Sequence, residues 1–246
     1  MMINPPVQIT EPSFQTAWLE VVKRLSDNKW KLRNLIVYIE NPTIFCQDFH
    51  QNICQFGEWV GLLPAKDVAY TIFPHKLYKT KGNHRELFES YNRPNGLFAR
   101  IQNRKPGWGS YFRRMTHYET RSGRTENQLK NIIHAIETRA NISTAAYTII
   151  IQKPGGETIR PLGGPCLNYI AVQLEPENPI QLGLLAVYRN HDFLERAYGN
   201  YWGLCNLASF LAEETGVACG PLTCISSQAY VKGNKKALRN LLDSMR

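Results

Sequence analysis

No run of eighteen apolar residues occurs anywhere in this chain, so no segment is long enough to cross a bilayer as a helix. The opening stretch, Met1 to Pro12, is short, polar and proline-bearing, unlike a secretory signal; a cytoplasmic location with no membrane partner is expected. The cysteines at 46, 54, 166, 205, 219 and 224 form no CxxC pair and no His/Cys cluster of zinc spacing. That pattern excludes a structural zinc site and predicts reduced thiols and no metal. Internal repeats, long linkers and low-complexity tracts are missing too, which excludes a solenoid. No RNA- or DNA-binding signature is present, so a nucleic-acid partner would rest on charge alone.

What is present is a chain of 246 residues, 43% apolar and 11% aromatic, enough to bury a sizeable core. Its formal charge of +9 favours an anionic partner such as a nucleotide or a polyglutamate tail. The basic residues gather in 76–85, 93–124 and 232–246.

Apolar spacing predicts a helix over 14–25 behind Ser13, an amphipathic helix over 127–138, a long apolar helix over 201–215 stopped by Gly216, and a terminal helix over 235–244. Strands are expected at 35–39, 146–152, 167–174, 182–188 and 218–230. Between 43 and 110, Pro64, Pro74, Pro94 and Pro106 predict short helices mixed with long loops. Helices alternating with mostly buried strands indicate an α+β fold with a mixed sheet.

Three residues carry chemistry at a telling spacing. Cys166 lies in Gly163-Gly164-Pro165-Cys166-Leu167; Arg189 follows 23 residues later, and Asn200 comes 11 after that. A thiol beside a guanidinium is stabilised as thiolate, the nucleophilic form. An amide offers one acceptor and one donor, which matches N3–H and O4 of uracil; cytosine reverses that pattern.

From residue 107 onward the chain resembles thymidylate synthase, most closely its short archaeal-type members; the first 106 residues form a divergent part of what would be a single domain over 1–246. Tyr111-Phe112-Arg113-Arg114-Met115 looks like the family's Tyr-Gly-x-(Gln/Arg)-(Trp/Leu) segment, and Asn127-Gln128-Leu129 opens a helix of the Asp-Gln-Leu type. Pro165-Cys166-Leu167, Arg189-Asn190-His191-Asp192, Asn200 and Ser226-Ser227-Gln228-Ala229-Tyr230 follow in the family's order. The resemblance implies a mixed β-sheet flanked by helices, with two sheets packed back to back in a homodimer. It implies one-carbon transfer, as methylation or hydroxymethylation, to C5 of a uracil-containing nucleotide, with 5,10-methylene tetrahydrofolate as donor. Cys166 would add to C6, Arg189 would support the thiolate and an anionic group, Asn200 would read the base, and Tyr111 would relay the C5 proton. Asp192 would contact the pterin. Asn190, Ser227, Gln228 and Tyr230 would contact the nucleotide, Tyr230 at a ribose hydroxyl. Asn206, in Asn206-Leu207-Ala208-Ser209-Phe210, mimics the same helix start but requires a six-residue insertion.

The chain also departs from the family. Thr144-Ala145-Ala146 stands where Ser-Arg-Arg would bind a 5′-phosphate, Asn190 replaces a serine that assists it, and Ala171 replaces a polar residue. Glu58 and Glu86 compete for the catalytic glutamate. Arg33, Arg113, Arg114 and Arg124 are replacement cations; alternatively the substrate is a nucleoside, a nucleoside diphosphate sugar or a residue in a polymer. The rival reading is a catalytically reduced relative that binds a nucleotide as a sensor or interaction protein.

Overall fold

Residues 218–230 form the longest strand of the sheet, with burial alternating from residue to residue between Gly220 and Ser226. In the computed structural model, residues 5–96, 98–99, 109–120, 122–138, 146–153, 164–176 and 179–245 are described. Six of the strands line up as β1 (Val7–Glu11), β2 (Lys31–Ile39), β9 (Ala218–Tyr230), β7 (Gln181–Tyr188), β6 (Leu167–Glu175) and β5 (Tyr147–Ile150), in that spatial order. The pairings β1/β2 and β7/β9 are parallel, while β2/β9, β6/β7 and β5/β6 are antiparallel, so the sheet is mixed. Short β8 (His191–Asp192) adds to β9 in parallel, and β3 (Tyr118–Glu119) pairs with β4 (Thr125–Glu126).

The registers decide which side chains share a face. Val37, Cys224, Ala186, Ile170 and Ile149 are successive cross-strand partners, and all are buried. Against this face pack α1 (Phe14–Asp27) and the long α8 (Ala197–Thr215). Helix α1 starts where expected because Ser13 and Thr16 form a capping box. Helix α8 begins four residues earlier than its apolar run suggests, at Ala197, and its αL cap is Gly216. The row on the other face reads Ile36, Ile225, Val187, Tyr169 and Ile150, half-buried except for exposed Ile150.

The segment expected to mix helices with long loops is mostly helical. It holds α2 (Gln47–Trp59), α3 (Ala65–Ile72), α4 (His75–Lys81) and α5 (His84–Asn92), with short links. Pro64 and Pro74 start helices rather than breaking them, occupying the cap positions of α3 and α4. Three further helices, α6 (Tyr111–Thr116), α7 (Gln128–Glu137) and α9 (Lys235–Ser244), complete the described set. None of the described helices is long and apolar enough to cross a membrane.

Strand direction positions the site. Strands β7 and β9 run parallel and β6 runs against them, so the start of β6, the end of β7, β8 and the end of β9 meet at one rim. Ligands of sheets with parallel strands commonly sit at such carboxyl ends.

Candidate functional site around Cys166

Cys166 immediately precedes β6 and is half-buried. Its carbonyl accepts from the Arg189 backbone N–H at 2.9 Å, and the Arg189 Nε donates to the Pro165 carbonyl at 3.1 Å. Both the backbone and the guanidinium of Arg189 are thereby tied to the segment that carries Cys166. Tyr111 arrives from the first turn of α6. Ser110 caps that helix by accepting from Arg113 N, and buried Phe112 and Met115 fix its other side. The Tyr111 hydroxyl accepts from the backbone N–H groups of Cys166 (3.1 Å) and Leu167 (3.4 Å). Burial pushes the Tyr111 phenol up to about 12, so it is a neutral hydroxyl at ordinary pH.

The electrostatics correct one expectation. Burial pushes the Cys166 thiol above its ordinary value, while Arg189 and Arg196 pull it down and Asp192 pushes it up again. The direction is upward overall, so the resting group is a thiol, not the thiolate expected from the neighbouring guanidinium. Arg196, which the sequence reading did not single out, is the second cation acting on the thiol. Its backbone N–H donates to the Asp192 carbonyl at 3.0 Å.

Asp192 holds the turn into α8. Its carboxylate accepts from Leu194 N (3.0 Å) and Glu195 N (3.3 Å), although burial still raises its pKa. Tyr230 is its cross-strand partner, and the Tyr230 phenol feels the charges of Asp192, Cys166 and Arg189. Cys166, Arg189, Tyr111, Asp192 and Tyr230 are therefore brought to one place. Gln228 is half-buried and pairs across the strand with Arg33, and Asn190 is half-buried on the turn after β7. Ser227 is exposed, whereas neighbouring Ser226 is fully buried and turns to His191. Ser226 continues the alternation of the buried Leu222 and Cys224 along β9, and Ser227 takes the other side.

Asn200 lies in the first turn of α8, buried, with its Nδ2 at 3.2 Å from His191 Nε2. Asn206 lies further along α8 and is half-buried. His191 stacks flat on Tyr188, with ring centroids 4.1 Å apart, and burial lowers its pKa to about 3, so the ring is neutral. Its place inside the Arg189–Asp192 motif was the available signal for it.

Among the described residues Asp192 is the carboxylate whose charge raises the Cys166 thiol; Glu58 and Glu86 are not among the causes. Glu86 is exposed in the first turn of α5. Glu58 is exposed on the rim of a cavity of about 440 Å³. That cavity is walled by Ile53, Leu62, Leu194, Tyr198 and Trp202, and Leu194 and Glu195 are shared with the turn that Asp192 holds. Among the described residues no His, Cys, Asp and Glu group is arranged for a metal. Thr144 and Ala145 lie outside the described residues; Ala146 directly precedes β5. No family model and no curated protein matches this chain.

Proposed function

We propose that the chain is a thymidylate-synthase-like transferase that adds a one-carbon unit to C5 of a uracil-containing nucleotide. The observation that carries this reading is the convergence on Cys166 of two guanidinium groups and the Tyr111 hydroxyl, on a rim closed by Asp192 and Tyr230. Cys166 adds to C6 of the ring. Arg189 and Arg196 offset part of the burial that opposes its ionisation, and Tyr111, neutral at ordinary pH, is suited to pass a proton. When bound, 5,10-methylene tetrahydrofolate supplies the one-carbon unit. The apolar and aromatic walls of the cavity beside Asp192 suit a planar ring system of that kind.

The apolar row Ile36, Ile225, Val187, Tyr169 and Ile150 supports a back-to-back homodimer, since a second sheet would remove it from water. Thr144, Ala145 and Ala146 carry no charge, so a free 5′-monophosphate is not bound in the family's manner.

Incubation with C5-tritiated dUMP, UMP and their nucleosides tests the proposal. Tritium release by the wild type and none by Cys166→Ala is expected; equal release by the two proteins would remove Cys166 from the chemistry. A second reading, a nucleotide-binding relative with reduced catalysis, is favoured by the raised Cys166 thiol. It requires pyrimidine binding without any tritium release.

A further inference from the structure

Two paired segments of the sheet carry charge of one sign. Residues 28–39 and 216–242 contain Lys29, Lys31, Arg33, Lys232, Lys235, Lys236 and Arg239, and no Asp or Glu. The start of β2 pairs with the end of β9, Lys31 opposite Tyr230 and Arg33 opposite Gln228, and Tyr230 has Asp192 as its partner on the other side. Cross-strand partners share a face, so Lys31, Arg33, Gln228, Tyr230 and Asp192 stand on the same side. The row between them, Leu32, Ala229 and His191, is buried on the opposite side. The cations continue beyond the sheet. The Trp30 carbonyl accepts from Val231 N at 3.1 Å, which sets Lys29 and Lys232, their neighbours in sequence, at the same end. Lys235 and Lys236 open α9, whose Arg239 guanidinium lies over the Trp30 ring, 5.5 Å from its centroid. Lys29, Lys31, Arg33, Lys232, Lys235 and Lys236 are exposed, and among the described residues none of them forms an ion pair.

We infer that this basic band is a phosphodiester track and that the site takes its uracil from a single-stranded nucleic acid. The inference rests on the proposed function, with Gln228 and Tyr230 at the nucleotide. Arg33 and Lys31 adjoin those two residues and lie about 7 Å apart along the strand. Lys232, Lys29, Lys235 and Lys236 lead away from them, more cations than one phosphate monoester can engage. A chain of phosphates engages them in succession, and each contact releases a bound counterion. Asp192, and Glu195 in the turn it holds, lie on the other side of Tyr230 and repel a phosphate. That asymmetry puts the backbone on the β2 side and the base toward Cys166. Cys166 is half-buried, so its thiol reaches C6 only of a base that has left its stack, which a single strand allows at small cost.

Fluorescence anisotropy with labelled oligouridylate and oligodeoxyuridylate of about twelve nucleotides tests the track, with dUMP and polyglutamate as competitors. The two oligomers share the phosphodiester chain and separate RNA from DNA. The wild type should bind at least one of them about tenfold or more tighter than dUMP, with affinity falling as salt rises. Arg33→Gln and Lys31→Gln, both at exposed positions, should each reduce the slope of log affinity against log salt by about 0.7, the share of one phosphate on a single strand. Lys130→Gln, on α7 at the β5 edge of the sheet, should leave that slope unchanged. Equal affinity for dUMP and the oligomers, or a slope unmoved in both variants, overturns the inference. Displacement by polyglutamate at equal charge concentration also overturns it, since the partner would then be an acidic peptide. Tritium release from the oligomers is read separately. Binding on the track without release removes the catalytic reading and leaves the track standing; release from dUMP alone keeps the catalytic reading and removes the track.

Discussion

Cys166 is pulled in two directions, by burial toward the thiol and by Arg189 and Arg196 toward the thiolate. Its alkylation by iodoacetamide should therefore reach half-maximal rate above the ordinary thiol value of about 8.5. Arg196 is exposed and carries no core packing, so Arg196→Ala should move that inflection further up without loss of fold. An inflection below neutrality, or none of this shift in the variant, would refute the account of the thiol. His191 gives a second residue-level expectation. Its folded pKa of about 3 lies below the ordinary 6.5, so the unfolded chain takes up a proton before the folded one does. Stability contributed by the neutral ring is complete above about pH 6.5 and is lost as pH falls toward 3, a loss on the order of a few kcal/mol. Urea titrations between pH 7 and pH 4 should show this slope, and His191→Phe should flatten it. A residual slope from His50, His75 and His117, also lowered by burial, should remain.

Among the described helices, α3 and α8 share the most extensive contact, and glycine lets them come close. A Cβ at Gly199 would lie 2.6 Å from Val68 Cβ and 2.7 Å from the Ala65 carbonyl; one at Gly203 would lie 2.8 Å from the Ala69 carbonyl. Gly199→Ala should destabilise the protein by roughly 1–3 kcal/mol, because the overlap outweighs the gain of about 1 kcal/mol in helix propensity. The double variant with Gly203→Ala should cost less than the sum, since one shift of α3 relieves both contacts. Thermal denaturation of the three variants checks this, and a stabilised Gly199→Ala would show that the seam has slack. These same elements show what was legible in the sequence. Residues 235–244 repeat their apolar side chains at helical spacing and 218–230 follow the helix-ending Gly216, so both elements were readable. Strand β1 was missed although Val7, Gln8, Ile9 and Thr10 alternate, because a run of five residues between prolines is too short to stand out. The start of β2 was missed because Lys31, Arg33 and Asn34 are polar, and their place in the sheet depends on pairing with β9. In the site, motif order pointed to Cys166, Arg189, Tyr111, Asp192 and Tyr230. Arg196 and His191 act through charge and through a buried chain of hydrogen bonds, which only the folded geometry reveals.

For the whole molecule, the apolar row across β2, β9, β7, β6 and β5 leads to an expectation about assembly. Sedimentation at micromolar concentration should give a dimer, and Val187→Asp, at the centre of the row, should give a folded monomer. A stable wild-type monomer would count against the back-to-back arrangement. The rim that gathers Tyr111, Cys166, Arg189 and Tyr230 has a consequence for how the chain reaches its native state. These residues are spread over more than a hundred positions and meet only after β6, β7 and β9 have paired. Long loops must close before any of those contacts can form, which makes the rim a late product of folding. A small molecule that recognises the completed rim therefore binds the native state alone. It should raise the melting temperature with its concentration, so a thermal-shift screen of pyrimidine compounds can search for the natural ligand without assuming any reaction.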